Sequence, residues 1–307
     1  MRRHLIFIGA AVGVALAGCT GATPEPSSAG LAVVATTTQV GEAARVVGGD
    51  AIALTVLLSP GVEAHDFEIT PTAAAAIERA DLILVSGAGL ESWLDEALVT
   101  IGGQDRVRDM SSGIEVRASQ ETGSEHADEV DPHYWLSAPN AIAMVENVRD
   151  ALSEAQPGAA DDFASRAATY VERLEAADAE IRRLVEEIPP ERRGIVTNHD
   201  ALGYFVAEYG LRFVGSIFPS LDVSAEPDPG QLAELVETIR NEGVTAIFAE
   251  SAVNPSLAEA IAEESGARVV DDPLFTDSLG PPGSGAETLD GMLLHNARVI
   301  HGALIGG

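Results

Sequence analysis

One segment of the chain predicts an unusually long helix. Apolar side chains recur there at three- and four-residue steps, namely Phe163, Ala167, Tyr170, Leu174, Ala177, Ile181, Leu184 and Ile188. At 1.5 Å per residue, this stripe covers about seven turns, or roughly 40 Å, before Pro189-Pro190 ends the helix. Because helices in globular domains average about three turns, the segment predicts a rigid helix that connects two domains.

The chain on each side of this helix alternates short apolar strands with helices. We predict strands at 31–36, 51–58, 81–86 and 106–109 before the long helix, and at 194–198, 211–217, 246–249 and 268–270 after it. Such alternation is typical of mostly parallel sheets with helices on both faces. The predicted fold class is therefore α/β, with two βα lobes joined by one long backbone helix. Ligands of such sheets bind outside the carboxyl ends of the strands.

The first residues of the chain resemble an export signal rather than part of the fold. Arg2 and Arg3 precede an apolar stretch at 5–16, and Leu16-Ala17-Gly18-Cys19 matches the bacterial lipoprotein box. Cys19 is the only cysteine among the 307 residues, so the mature protein has no disulfide or cysteine metal ligand, and we predict that Cys19 is lipidated. This pattern predicts an extracytoplasmic protein that is lipid-anchored to the bacterial cell membrane.

These features divide the chain into five predicted segments. The division is a signal peptide at 1–18, a lipidated cysteine and flexible tether at 19–30, a first lobe at 31–157, a linking helix at 158–190 and a second lobe at 191–307. With 46% hydrophobic residues, the lobes have enough apolar surface for a sizeable core. The formal net charge of -30 argues against nucleic-acid binding, which needs a basic surface.

Four separated loop segments each contain a side chain that is able to bind a metal ion. The side chains are His65, His133, His199 and Asp277. Taken alone, a loop histidine is usually a solvated surface group, and a loop aspartate usually forms a turn. Together, three neutral imidazoles and one carboxylate complete a tetrahedral shell for Zn²⁺.

Ligands contributed by both lobes place the metal in the interlobe cleft, where small-ligand sites are common. Four nearby carboxylates are candidates for holding the imidazoles in the metal-binding tautomer, namely Asp66, Asp131, Asp200 and Glu250. Binding requires neutral histidines, whose usual pKa is about 6.5, so we expect affinity to fall as the pH drops below roughly that value.

At these segments the chain resembles the solute-binding lipoproteins of bacterial ABC transporters for zinc and manganese. The resemblance also includes the tether, the long helix, the strand end Phe248-Ala249-Glu250-Ser251 and the sequence Gly291-Met292-Leu293-Leu294-His295-Asn296. It implies two α/β lobes joined by a rigid helix, with His65, His133, His199 and Asp277 as metal ligands. It also implies delivery of the ion to a membrane permease that works with an ATPase, by a protein that we expect to be a monomer.

The resemblance favours zinc as the transported ion and leaves manganese as the alternative. Manganese-dedicated members tend to have glutamate at the third ligand position, where this chain has His199, and nitrogen-rich shells suit zinc better than manganese. Many zinc-type members carry a long histidine-rich loop before the second ligand. This chain departs from that pattern, because its acidic stretch at 124–131 contains a single histidine, His126.

Two other functions compete with metal transport. A metallohydrolase keeps one zinc position open for water, whereas four protein ligands are available here, and the chain contains neither Gly-x-Ser-x-Gly nor His-Glu-x-x-His. We therefore predict that the protein is not an enzyme. In a metal-stabilised adhesin the zinc would be structural, and removing it would unfold the domain.

Overall fold

The protein contains two separate four-stranded sheets, both built entirely from parallel strands. The computed structural model describes residues 30–65, 67–118, 130–218, 220, 227–251 and 254–306. The first sheet has the order β2-β1-β3-β4, where β1 is Leu31–Ala35, β2 is Ile52–Val56, β3 is Leu82–Val85 and β4 is Val107–Asp109. All four residues of β3 are buried, as expected for an inner strand that has helices on both faces.

The second sheet repeats this arrangement after a small antiparallel pair of strands. That pair consists of β5 (Arg117–Ala118) and β6 (Val130–Asp131). The second sheet has the order β10-β9-β7-β8, where β7 is Gly194–Thr197, β8 is Arg212–Ser216, β9 is Ala246–Phe248 and β10 is Arg268–Val269. We refer to the elements up to residue 157 as the first lobe and to those after residue 190 as the second lobe; these boundaries stay predictions.

Helices alternate with the strands of both sheets. The helices are α1 (Thr38–Gly48), α2 (Pro71–Arg79), α3 (Ser92–Ile101), α4 (Ala138–Ala155), α5 (Ala160–Glu186), α6 (Gly203–Tyr209), α7 (Pro229–Glu242), α8 (Ser256–Ser265) and α9 (Leu289–Ile305). Local sequence explains their ends. The side chains of Thr37, Thr70 and Thr288 accept hydrogen bonds from the first turns of α1, α2 and α9. Glycines in the left-handed conformation follow α6, α7 and α8.

The long helix α5 packs against both lobes. All eight residues of the predicted apolar stripe are buried, and all of them except Ala177 belong to one hydrophobic core that includes residues from both sheets. The helix packs against α1 and α4 of the first lobe and against α6 and α9 of the second. This arrangement confirms the prediction of two α/β lobes joined by a long backbone helix.

The predicted elements differ from the observed ones mainly at their ends. Each of the eight predicted strands is one to three residues shorter in the structure, at one end or at both, as is usual for element boundaries. The polar sequence at 111–131 predicts only a loop, yet β5 and β6 pair within this stretch. The signal peptide, residues 19–29 of the tether with Cys19, and residues 119–129 with most of the acidic stretch lie outside the described residues. In the part of the chain that is described, no helix is both long and apolar enough to cross a membrane.

Candidate metal centre

Four side chains from distant parts of the chain meet between the two sheets. They are His65, His133, His199 and Asp277, and each offers one ligand atom within 4.8 Å of the others. His199 follows β7 by two residues, His65 lies in the loop after β2, and Asp277 lies in the loop after β10. The cluster therefore lies at the carboxyl ends of parallel strands, as the fold predicts. His133, His199 and Asp277 are fully buried, and the side chain of His65 is 14% exposed.

The spacing of these atoms fits a small tetrahedral ion. Zinc bonds of roughly 2.0–2.1 Å require neighbouring ligand atoms to be about 3.3 Å apart in a tetrahedron. The Nε2 atoms of His65 and His133 are 3.2 Å apart, and Oδ1 of Asp277 lies 3.0 Å from Nε2 of His133. Oδ1 of Asp277 is also 3.8 Å from Nε2 of His65, and Oδ2 is 3.5 Å from Nε2 of His199. The chain thus brings the donor set together at distances close to those zinc needs.

His133 is oriented by an aspartate two residues earlier. Oδ1 of Asp131 accepts hydrogen bonds from the backbone N–H of His133 at 2.9 Å and from its Nδ1 at 2.8 Å. This pairing leaves Nε2 facing the cluster, which is the arrangement that favours metal binding through Nε2. The fully buried Trp135 ring lies 5.6 Å from the His133 ring, edge to face.

His199 is paired with a glutamate from the neighbouring strand. Glu250 follows β9, and its Oε1 accepts a hydrogen bond from the backbone N–H of His199 at 3.0 Å. Its Oε2 lies 2.8 Å from Nδ1 of His199, which is an ion-pair distance without good hydrogen-bond alignment. Among the described residues, neither ring nitrogen of His199 has a hydrogen-bond partner. A buried imidazole of this kind costs free energy unless a further group, such as a cation, binds to it.

In the metal-free protein, two histidines of the cluster have raised pKa values and the aspartate has a lowered one. Burial opposes protonation of His133, but its contacts with Asp131 and Asp277 outweigh burial and raise its pKa to about 9. For His199, burial is likewise outweighed by the charges of Glu250 and Asp277, so its pKa is raised well above the usual value. Burial alone would raise the pKa of Asp277, yet the two imidazoles hold it well below its usual range. At neutral pH, His133 and His199 of the metal-free site are therefore protonated and face the ionised carboxylate of Asp277.

Glu63 is a carboxylate near the site that the sequence analysis did not assign to it. Oε1 of Glu63 accepts hydrogen bonds from the backbone N–H groups of Ala64 and His65, at 2.9 and 3.2 Å, and so shapes the loop that carries His65. Burial and the charge of Asp277 raise the pKa of Glu63 to about 7. Its position two residues before His65 is the sequence signal that points to it.

The other sequence-predicted residues have different outcomes. Asp131 and Glu250 lie beside imidazole nitrogens, whereas Asp66 and Cys19 lie outside the described residues. Asp200 is buried, and its backbone N–H donates to the carbonyl of Ser220; its predicted role stays a prediction.

Comparison with known proteins identifies the family. A family model described as the periplasmic component A of zinc-uptake complexes, ZnuA, matches residues 33–303. The manganese-binding lipoprotein MntA of Halalkalibacterium halodurans is 31% identical over 294 residues, which cover 94% of each chain. The zinc-binding protein TroA of Treponema pallidum is 32% identical over 276 residues, which cover 89% of this chain and 88% of TroA.

Solved structures support the same assignment. The periplasmic zinc-binding protein TroA of Treponema pallidum matches with a TM-score of 0.80 and 31% identity, over 89% of this chain and 98% of that one. A manganese-bound periplasmic metal-binding protein from candidatus Liberibacter asiaticus has a TM-score of 0.79, at 25% identity and the same coverage of both chains. The chain therefore belongs to the ZnuA family, the metal-binding solute-binding components of ABC transporters.

Proposed function

We propose that this protein captures Zn²⁺ outside the cytoplasm and delivers it to the permease of an ABC transporter that is driven by its partner ATPase. The observation that carries this proposal is the buried cluster of three imidazoles and one carboxylate between the lobes. In this proposal His65, His133 and His199 bind through Nε2, and Asp277 provides the fourth ligand. Asp131 accepts the hydrogen bond from Nδ1 of His133, and the Glu250 carboxylate lies at ion-pair distance from Nδ1 of His199 and favours its protonation.

The choice of zinc depends on the chemistry of the donor set. Three nitrogen donors and one oxygen suit zinc, whereas manganese prefers shells rich in carboxylates and water. The relatives support both ions, since MntA is named as manganese-binding and TroA as zinc-binding. The alternative is transport of manganese, alone or together with zinc. The titration below distinguishes it from zinc transport.

Catalysis fits this site less well than capture does. A catalytic zinc needs an exchangeable position for water, whereas here four protein groups surround one point and three of them are fully buried. The names of relatives such as MntA include the word lipoprotein, which supports lipidation at Cys19 and an extracytoplasmic location on the cell membrane. We propose that the protein acts there as a monomer.

A competition titration tests the proposal. The soluble body, beginning after the tether, is stripped with chelator and titrated with Zn²⁺ or Mn²⁺ against a calibrated chromophoric chelator. We expect one tight equivalent of zinc and much weaker binding of manganese. Comparable affinity for both ions would indicate a mixed or manganese transporter, and the absence of tight binding for either ion would refute the proposal.

The raised histidine pKa values predict that zinc affinity rises with pH well above 6.5. Because His133 has a pKa of about 9 in the metal-free protein, zinc must displace a proton at neutral pH. For each proton that zinc displaces, the affinity should rise roughly tenfold per pH unit until the pH reaches the pKa of the group. His199, whose pKa is also raised, contributes a second displaced proton. Calorimetric titration in buffers of different ionisation enthalpy measures the protons released. We expect at least one per zinc at about pH 7.5.

As the pH rises, the stability of the metal-free protein should fall while its zinc affinity rises. A pKa of His133 raised from about 6.5 to about 9 contributes stability that is complete below pH 6.5 and is lost as the pH rises through 9. Metal-free protein should therefore lose unfolding free energy between these values while zinc affinity increases. A zinc affinity that stays constant from pH 6.5 to 9 would contradict the protonated network.

A further inference from the structure

The loop that carries Asp277 begins with hydrogen bonds to its own lobe. The backbone N–H of Leu274 donates to the carbonyl of Ala249 at 2.9 Å, continuing the parallel pairing beyond β9. The side-chain amide of Asn296, on α9, then forms hydrogen bonds with both main-chain groups of Phe275. Its Oδ1 accepts from the Phe275 N–H at 3.0 Å, and its Nδ2 donates to the Phe275 carbonyl at 2.7 Å. Up to Phe275, this segment is fixed to the second lobe.

Two main-chain groups that follow in the same loop, those of Thr276 and Leu279, bind to the first lobe. The carbonyl of Thr276 accepts from Nε2 of Gln39 at 3.2 Å and from Nε1 of Trp135 at 2.9 Å. The backbone N–H of Leu279 donates to Oγ1 of Thr38 at 2.8 Å. Asp277 therefore lies between two main-chain groups that are both bound to the N-terminal turn of α1.

Thr38 and Gln39 also bind each other, which closes the network. Oγ1 of Thr38 donates to Oε1 of Gln39 at 3.0 Å, while it accepts from Leu279. This bond fixes the orientation of the Gln39 amide, so that its NH₂ group faces the Thr276 carbonyl. Thr38 is 8% exposed and Gln39 is fully buried, so water does not readily replace these bonds.

We propose that Thr38 and Gln39 are positioning residues that hold Asp277 in place for the metal and thereby raise the affinity of the site. This proposal rests on the proposed function, since it assumes that Asp277 is a metal ligand. Its consequence is that Asp277, which belongs to the second lobe in sequence, is tied to the first lobe through the main-chain groups of Thr276 and Leu279, while the Thr276 hydroxyl also binds Glu250 of the second lobe. Only His199 is held entirely by second-lobe contacts, through Glu250.

Thr38→Val and Thr38→Ser form a matched pair for testing this proposal. Valine keeps the branched shape but removes the hydroxyl group, which leaves the Leu279 N–H without its partner, whereas serine keeps the hydroxyl. We expect zinc to bind Thr38→Val roughly tenfold more weakly than wild type, as for other residues that orient metal ligands, and Thr38→Ser to bind like wild type. Gln39→Met, which removes the amide donor at similar size, should also weaken binding.

A spectroscopic measurement separates positioning from general destabilisation. The visible absorption of bound Co²⁺ reports ligand geometry, and we expect it to change in Thr38→Val and Gln39→Met but not in Thr38→Ser. Asn147→Leu is the control, because it removes side-chain hydrogen bonds to the carbonyls of Met110 and Ser112, outside this loop. This control should leave both zinc affinity and the Co²⁺ spectrum unchanged.

The outcomes distinguish this inference from the proposed function. If wild type binds zinc tightly while Thr38→Val and Gln39→Met bind it equally tightly with unchanged Co²⁺ spectra, the positioning role is wrong and the metal site stands. If Thr38→Ser loses as much affinity as Thr38→Val, the hydroxyl is not responsible and the inference fails. If wild type binds no metal, the proposed function itself fails. Should Thr38→Val not fold, Gln39→Met alone decides the question.

Discussion

Replacing His199 with alanine should weaken zinc binding by more than about 100-fold. Substituting a group that only orients a metal ligand typically costs about 10–100-fold in affinity, so loss of a ligand itself should exceed that range. The effect should be especially large at His199, because its Nε2 is the only nitrogen that the second lobe contributes to the cluster. Without it, zinc would be bound mainly to first-lobe groups. Competition with a chromophoric chelator measures this loss directly.

A matched histidine outside the cluster provides the control. Nε2 of His301, on α9, lies 2.9 Å from Oε2 of Glu187 and does not belong to the cluster, so His301→Ala should keep wild-type affinity. Thermal unfolding gives a second measurement. Zinc at about 1,000 times the wild-type dissociation constant should stabilise wild type by about 4 kcal/mol, and the same zinc concentration should stabilise His199→Ala by about 1.4 kcal/mol or less. Tight zinc binding by His199→Ala would show that the metal binds elsewhere.

The overall fold could be predicted from the sequence because its strongest signals are local. The stripe from Phe163 to Ile188 repeats over many turns, so a few ambiguous positions do not change its interpretation. Parallel strands buried on both faces form short continuous apolar runs, such as 82–85, and these are easily located. The two shortest strands before the long helix were not predicted from the sequence. β5 and β6 have two residues each in a polar stretch, which is too short for a periodic pattern.

The site was partly predictable because parallel sheets place function at strand ends. His199 and Glu250 follow β7 and β9, which are adjacent strands, so their proximity follows from topology although they are 51 residues apart in the chain. Asp131 was predicted as a neighbour of His133, and the pair shares a turn. The partners of the Asp277 loop could not be read from the sequence. Thr38 and Leu279 are 241 residues apart, and no periodic pattern links a helix start to a distant loop.

Glu250→Gln should weaken zinc binding by about 10–100-fold without removing a ligand. The carboxylate of Glu250 accepts from the His199 N–H at 3.0 Å and from Oγ1 of Thr276 at 2.7 Å, and lies 2.8 Å from Nδ1 of His199. It therefore connects the main chain and the ring of His199 to the residue that precedes Asp277. Glutamine keeps the size of the side chain but replaces one acceptor oxygen with a donor and removes the negative charge. The imidazole then loses the negative charge beside Nδ1 that favours a proton there and leaves Nε2 available for metal.

The pH dependence of this loss distinguishes an electrostatic role from simple misfolding. In the metal-free protein, burial disfavours the charged form of His199, and Glu250 is the charge that does most to overcome this effect and raise its pKa. Removing that charge lowers the pKa of His199, so protons compete less with zinc in Glu250→Gln than in wild type. The difference in affinity between the two proteins should therefore be largest at high pH and shrink as the pH falls. Glu259→Gln, at an exposed position on α8, is the charge-matched control and should bind zinc like wild type at every pH. A loss of affinity in Glu250→Gln that is the same at every pH would show that Glu250 supports the local fold without controlling the protonation of His199.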